Sequence, residues 1–110
     1  MVGWHSDTED SANYSEYLLM CPNKETGKGQ YNSGNYCNPK LDELVNKANV
    51  ENDRAKRKAL LQEVEKIAYE DAAYVPLHWQ NLSWAAKKGV DIAPVVNIMD
   101  FPYLGDLIVK

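Results

Sequence analysis

Apolar residues recur at helical spacing through the first two-thirds of the chain and fall into short, broken runs in the last third. Leu41, Leu44, Val45 and Ala48 stand at i, i+3, i+4 and i+7, the stripe of an amphipathic helix. Asn38-Pro39 opens it. Asn is a favoured N-cap, and Pro suits the first helical position, where its missing N–H would have no partner anyway. The spacing predicts a helix from Pro39 to about residue 49. Asn52-Asp53 signals a second start, with helix formers from Arg54 to about Asp71 and Leu60, Leu61, Val64, Ile67 and Ala68 on the buried side. Upstream, Ser11 is expected to cap a short helix over about residues 12–20, with Tyr14, Tyr17 and Leu18 on one face. Residues 22–37 hold Pro22, Gly27, Gly29 and Gly34 among polar side chains, and predict a loop too long to be a mere connector.

The last third reads differently. Tyr74–Trp79 suggests a short strand, which Pro76 confines to an edge or a strand start. Trp84–Lys88, Val90–Ile92, Val95–Ile98 and Leu107–Val109 suggest further short strands, interrupted by Gly89, Pro94 and Phe101-Pro102. The expected class is therefore α/β in the mixed α+β sense, with helices first and strands last.

Composition narrows the function more by exclusion than by assertion. The chain has 110 residues, is 45% hydrophobic and 25% charged, and carries a formal charge of −4. An acidic balance gives no electrostatic case for nucleic acid. The basic run Arg54, Lys56, Arg57 and Lys58 is followed at once by Glu63, Glu65 and Glu70, and is expected to be a solvated face. No apolar run is long enough to cross a membrane as a helix. Met1-Val2-Gly3-Trp4 leads straight into polar sequence, without the features of a signal peptide. Seven Tyr and three Trp against one Phe favour half-wet surfaces, either interfaces and strand faces or a ligand cleft.

Cys21 and Cys37 are the only cysteines. Their spacing is not a zinc pattern, since there is no CxxC and His5 and His78 lie far off. A bridge between them would staple the Gly- and Asn-rich loop and imply an oxidising compartment; two separate buried thiols are the other reading. Enzyme signatures are missing: no GxSxG, no HExxH and no glycine-rich phosphate loop, since Gly27-Lys28-Gly29 lacks the strand and helix such a loop joins. Asp7, Glu9 and Asp10 do not follow the spacing of an EF-hand, and no metal or cofactor is expected.

Three stretches in order carry a resemblance: Gly3-Trp4-His5-Ser6-Asp7 before a tyrosine-rich helix, Tyr36-Cys37-Asn38-Pro39-Lys40-Leu41-Asp42-Glu43-Leu44, and Asp53–Arg57 leading to Ala68-Tyr69-Glu70-Asp71-Ala72-Ala73-Tyr74-Val75-Pro76-Leu77. Together they resemble the C-terminal part of family 5 solute-binding proteins, the dipeptide-, oligopeptide- and nickel-binding receptors of ABC importers. The resemblance implies part of a two-lobed periplasmic binding protein of type II. Residues 1–80 would belong to the second lobe and residues 81–110 would return to the first, with a hinge near His78–Leu82. It also implies that Cys21 and Cys37 pair, as in the disulfide loop of the dipeptide-binding branch.

By the same resemblance, Asp7 takes the place of the aspartate that pairs with a peptide's α-ammonium. Trp4 matches an aromatic of the cleft wall, and His5 lies between these two contacts. The chemistry is sound, because burying an ammonium is costly unless a carboxylate meets it. The implied partners are a short peptide and an ABC permease, in the periplasm or anchored on the outer side of a membrane. Strand edges left open could drive self-association. Three alternatives stand beside this reading: a stand-alone helical protein-interaction module, or a nickel or oligosaccharide receptor of the same family. His78 and Trp79 are weaker candidates for a hinge or cleft.

Overall fold

The computed structural model describes residues 3–6, 8, 10–97 and 100–110. The chain divides into two units, Met1–Pro76 and Leu77–Lys110.

The first unit is built on two helices whose ends are set by local chemistry. α1 is short, Ser11–Tyr14, and runs on as a π-helical turn, Ser15–Leu19. α2 spans Pro39–Val50 and α3 spans Arg54–Glu70. Both longer helices start where the sequence predicts. The Asn38 side chain accepts from the Lys40 N–H at 3.1 Å, and Asp53 accepts from the N–H groups of Ala55 and Lys56 at 2.9 and 3.0 Å. Each carboxylate or amide oxygen satisfies donors that the first helical turn leaves unpaired.

The first helix corrects the expectation. Asp10, not Ser11, is its cap, with Oδ1 accepting from the Ala12 N–H at 2.9 Å. A carboxylate one position earlier also meets the positive end of the helix, which a hydroxyl cannot do as well. The π-helical turn has a local cause. Ser15 is fully buried, and its hydroxyl donates back to the Ser11 carbonyl at 3.0 Å, a bond of the kind that competes with the helical ladder. With an extra residue in the turn, the expected common face of Tyr14, Tyr17 and Leu18 comes apart. Leu18 is buried, Tyr14 lies half-buried against the core, and Tyr17 joins a separate group of aromatic rings.

Leu19, Met20, Leu41, Val45, Val64, Ile67 and Ala68 form the core, with Tyr14, Tyr36, Leu44, Ala73 and Tyr74 packed around it. Ala12, Ala48 and Leu61 form a smaller cluster with Leu60 against it. These are the stripes read from the sequence, and α2 and α3 pack along them. α3 is capped at Asp71 and the chain turns through Ala72 at φ 50°, where the Ala73 N–H returns to the Ala68 carbonyl at 2.9 Å.

Residues 22–38 form the expected loop, closed by the Cys21–Cys37 disulfide. Asn32 organises its interior. It is 4% exposed; its Nδ2 donates to the carbonyls of Met20 and Tyr36 at 3.0 and 2.6 Å, and its Oδ1 accepts from the Tyr36 N–H at 3.2 Å. Gly29 lies against the chain at Met20–Pro22, where a Cβ would come within 2.4 Å of the Met20 carbonyl oxygen. Its φ of 62° also favours glycine.

In the second unit, β1 (Val90–Asp91) pairs antiparallel with β2 (Ile108–Val109), Val90 opposite Val109 and Asp91 opposite Ile108. Two of the expected strands are thus present but shortened. Tyr74–Trp79 and Trp84–Lys88 are not strands, and Val95 closes a 3-10 turn, Ala93–Val95. Ile98, at the end of the expected Val95–Ile98 strand, lies outside the described residues. The physical reason is pairing: an extended segment becomes a strand only where a neighbour satisfies its N–H and C=O groups. Among the described residues only these two segments find each other. The result is a mixed chain of helices and two short strands.

Candidate functional site

Three aromatic rings meet on the first unit. The Trp4 ring centroid lies 5.8 Å from Tyr17 and 5.5 Å from Tyr31, and Tyr17 lies 6.1 Å from Tyr31, all tilted rather than stacked. Such offset, tilted geometry is the favourable one for ring quadrupoles. Backbone bonds bring the two tyrosines together. The Tyr31 N–H donates to the Tyr17 carbonyl at 3.1 Å and the Gly29 N–H to the Glu16 carbonyl at 2.9 Å, so the disulfide loop docks along the π-helical turn. Tyr31 remains 54% exposed. The Trp4 indole N–H is buried without a hydrogen-bond partner among the described residues.

His5, beside Trp4, is exposed. Asp7, the expected ammonium contact, lies outside the described residues, as does Glu9. His78 and Trp79 are exposed in the second unit, Trp79 at 98%.

The segment that carries Trp4 is tied down through Asp10. The Ser6 hydroxyl accepts from the Asp10 N–H at 3.2 Å and donates to the Asp10 carbonyl at 3.1 Å. The Asp10 side chain uses Oδ1 for the cap and Oδ2 for Arg57, whose Nη1 is 2.6 Å away. Arg57 Nε donates to the Ala48 carbonyl at 3.0 Å, near the end of α2. Arg57 therefore corrects the expectation that its basic run is a solvated face; Arg54, Lys56 and Lys58 are exposed as expected, whereas Arg57 is half-buried and paired. The only sequence signal for this pair is an acid at a helix start and a base at another, 47 positions apart.

Burial alone would push the Asp10 carboxyl up, but the Arg57 hydrogen bond, the Ala12 N–H and the Arg57 charge outweigh it and hold the group below its ordinary value of 3.8. A carboxylate with a depressed folded value stabilises the fold above that ordinary value, and the contribution is lost as pH falls through the folded one. The urea midpoint of the chain, measured from pH about 6 down to about 3, is expected to fall more steeply than that of Asp10→Asn. Matching acid limbs for the two proteins would show that the pair adds nothing to the pH dependence.

A second link joins the disulfide loop to the end of α3. The Tyr36 hydroxyl donates to Asp71 Oδ2 at 2.6 Å, and Asn38 Nδ2 donates to the same oxygen at 2.8 Å. Burial and the bond to the Asp71 carboxylate push the Tyr36 hydroxyl up to about 12. The Cys21 N–H donates to Asp42 Oδ1 at 3.1 Å, fixing the loop's other end to α2. Among the described residues no cluster of His, Cys, Asp and Glu is arranged to hold a metal ion.

Trp4, Tyr17 and Tyr31 thus form an aromatic cluster on a disulfide-stapled helical unit. The chain is 30% identical over 90 residues, 82% of its length, to Di/tripeptide-binding protein 2 of Pseudomonas aeruginosa (strain UCBPP-PA14). It is 34% identical over 79 residues, 72% of its length, to the Probable deoxycholate-binding periplasmic protein YgiS of Escherichia coli (strain K12). Di/tripeptide-binding protein 4 of the same Pseudomonas strain is 28% identical over 82 residues, 74% of the chain. The matched segments make up 16%, 15% and 15% of those three relatives. No family model matches the chain, and no solved structure matches it significantly. The chain belongs to the family 5 solute-binding proteins, a family of binding proteins and not of enzymes.

Proposed function

We propose that this chain forms part of the substrate-binding component of an ABC importer for short peptides, working outside the cytoplasmic membrane. The observation that carries the reading is the match over 82% of the chain to a di/tripeptide-binding protein. In the complete receptor, residues 1–80 belong to the second of two lobes and residues 81–110 return to the first, with the hinge near His78–Leu82. The lobes close because a ligand that touches both is bound best when they are shut, and the closed form docks on the permease.

Asp7 meets the peptide's α-ammonium and Trp4 forms the wall beside it, with His5 at the rim. The Trp4 ring supports this role: it is held in place by the rings of Tyr17 and Tyr31, an apolar surface already positioned for a ligand. The ammonium is a constant feature of free peptides, so a carboxylate there fixes one end while side chains vary.

The test is calorimetry on the full-length receptor with Asp7→Asn. Removing one partner of a buried charge pair is expected to weaken binding of a dipeptide or tripeptide by about 2 kcal/mol or more. Unchanged affinity would remove Asp7 from the site. A second reading rests on the deoxycholate-binding relative, which is 34% identical to this chain: an amphipathic steroid anion in place of a peptide. That ligand has no ammonium, so saturable deoxycholate binding indifferent to Asp7→Asn, with no peptide binding, selects it.

A further inference from the structure

We propose that Arg57 is a positioning residue of the binding site, pinning the segment that carries Trp4 onto the junction of α2 and α3. Its guanidinium makes two directed bonds at once. Nη1 holds Asp10 Oδ2 at 2.6 Å, and Nε holds the Ala48 carbonyl at 3.0 Å. The Ala48 carbonyl also accepts from the Glu51 N–H at α2's last turn, where a cation complements the negative end of the helix. Asp10 passes the restraint on. Its backbone N–H and C=O are both bonded to the Ser6 hydroxyl, two residues from Trp4. Arg57 and Asp10 have side chains 29% and 34% exposed, so solvent screens the pair only partly.

The geometry has a consequence for the ligand wall. Trp4 is gripped on one side by the rings of Tyr17 and Tyr31, which belong to the π-helical turn and the disulfide loop. On the other side, the Ser6–Asp10–Arg57 chain ties the same backbone to α2 and α3. The Arg57 pair is the link that ties this segment to both α2 and α3, beside the aromatic contact and the α1 cap. Lysine cannot replace arginine here, because one ammonium on a flexible stem does not reproduce a planar fork aimed at two acceptors.

Two measurements test the pin. In the chain itself, amide hydrogen exchange is followed for Asp10 and Ala12, whose N–H groups are bonded to the Ser6 hydroxyl and to Asp10 Oδ1, with Val45 and Val64 in the core as reference. Arg57→Gln is expected to speed exchange at Asp10 and Ala12 by about tenfold and leave Val45 and Val64 unchanged, with Arg57→Lys intermediate. Equal acceleration everywhere, or none at Asp10 and Ala12, overturns the proposal, since the pair would then be a general stabiliser or idle. In the full-length receptor, whose peptide arm rests on the function proposed above, Arg57→Gln is expected to raise the dipeptide Kd about tenfold for the folded protein, with partial recovery in Arg57→Lys. An unchanged Kd in folded Arg57→Gln overturns it as well. If the wild-type receptor binds no peptide, the peptide reading fails, and the exchange measurement still decides the pin.

Discussion

Leu41→Ala is expected to cost the fold about 2–5 kcal/mol, the range for truncating a fully buried leucine. Leu41 sits in the first turn of α2 with 0% exposure, inside a cluster of Leu19, Met20, Val45, Val64, Ile67 and Ala68. Those neighbours come from three elements, α2, α3 and the stretch following α1, so one cavity loosens all three contacts. Collapse around the cavity is limited. Leu19 and Val64 are themselves fully buried, and the chain beside Met20 is held by the disulfide and by Asn32. Urea unfolding followed by far-ultraviolet dichroism measures the loss. Val50→Ala is the control: on the same helix but 78% exposed, it is expected to change stability by no more than about 0.5 kcal/mol. Equal losses for the two variants would mean that the described core is not the one that holds the chain together.

Opening the Cys21–Cys37 bond is expected to lower stability by about 3 kcal/mol, the entropy restored to the unfolded chain when a loop of this length is released. The two cysteines are 16 positions apart. The folded loop has other restraints: Asn32 bonded to Met20 and Tyr36, Gly29 to Glu16, Tyr31 to Tyr17, and Tyr36 to Asp71. The reduced protein should therefore keep a native-like fold, and the loss acts through the unfolded state. A double Cys→Ser variant and the reduced wild type should show the same lowered urea midpoint with unchanged helical dichroism. A midpoint indifferent to reductant would show that the loop is already as restricted in the unfolded chain as in the folded one.

The two long helices were legible from the sequence because everything that defines them is local. Asn38-Pro39 and Asn52-Asp53 supply caps within two or three residues of the donors they satisfy, and the buried stripes follow from the helical period. The first helix was legible only in outline. Ser15's hydroxyl turns back on the Ser11 carbonyl and changes the period in mid-helix, which no regular pattern anticipates. The strands were less legible, because they depend on distant partners. Tyr74–Trp79 and Trp84–Lys88 have strand composition, but a ladder is a relation between segments, and among the described residues only Val90–Asp91 and Ile108–Val109 meet one another.

The candidate site divides in the same way. Trp4, His5 and Asp7 came from a resemblance in sequence, which also supported the Cys21–Cys37 pairing that the spacing of the only two cysteines suggests, and nothing local sets Asp7 apart from Glu9 and Asp10. Tertiary structure decided what surrounds them. It placed Tyr17 and Tyr31 against Trp4, made Asn32 the interior support of the loop, and took Arg57 out of a charged run to meet Asp10. By itself the sequence determined the family, the two capped helices and their buried faces, since these depend on identity and on spacing within a few turns. Only the folded chain decided which polar and aromatic side chains meet, because those partners are as many as 47 positions apart and their pairing depends on how the helices pack.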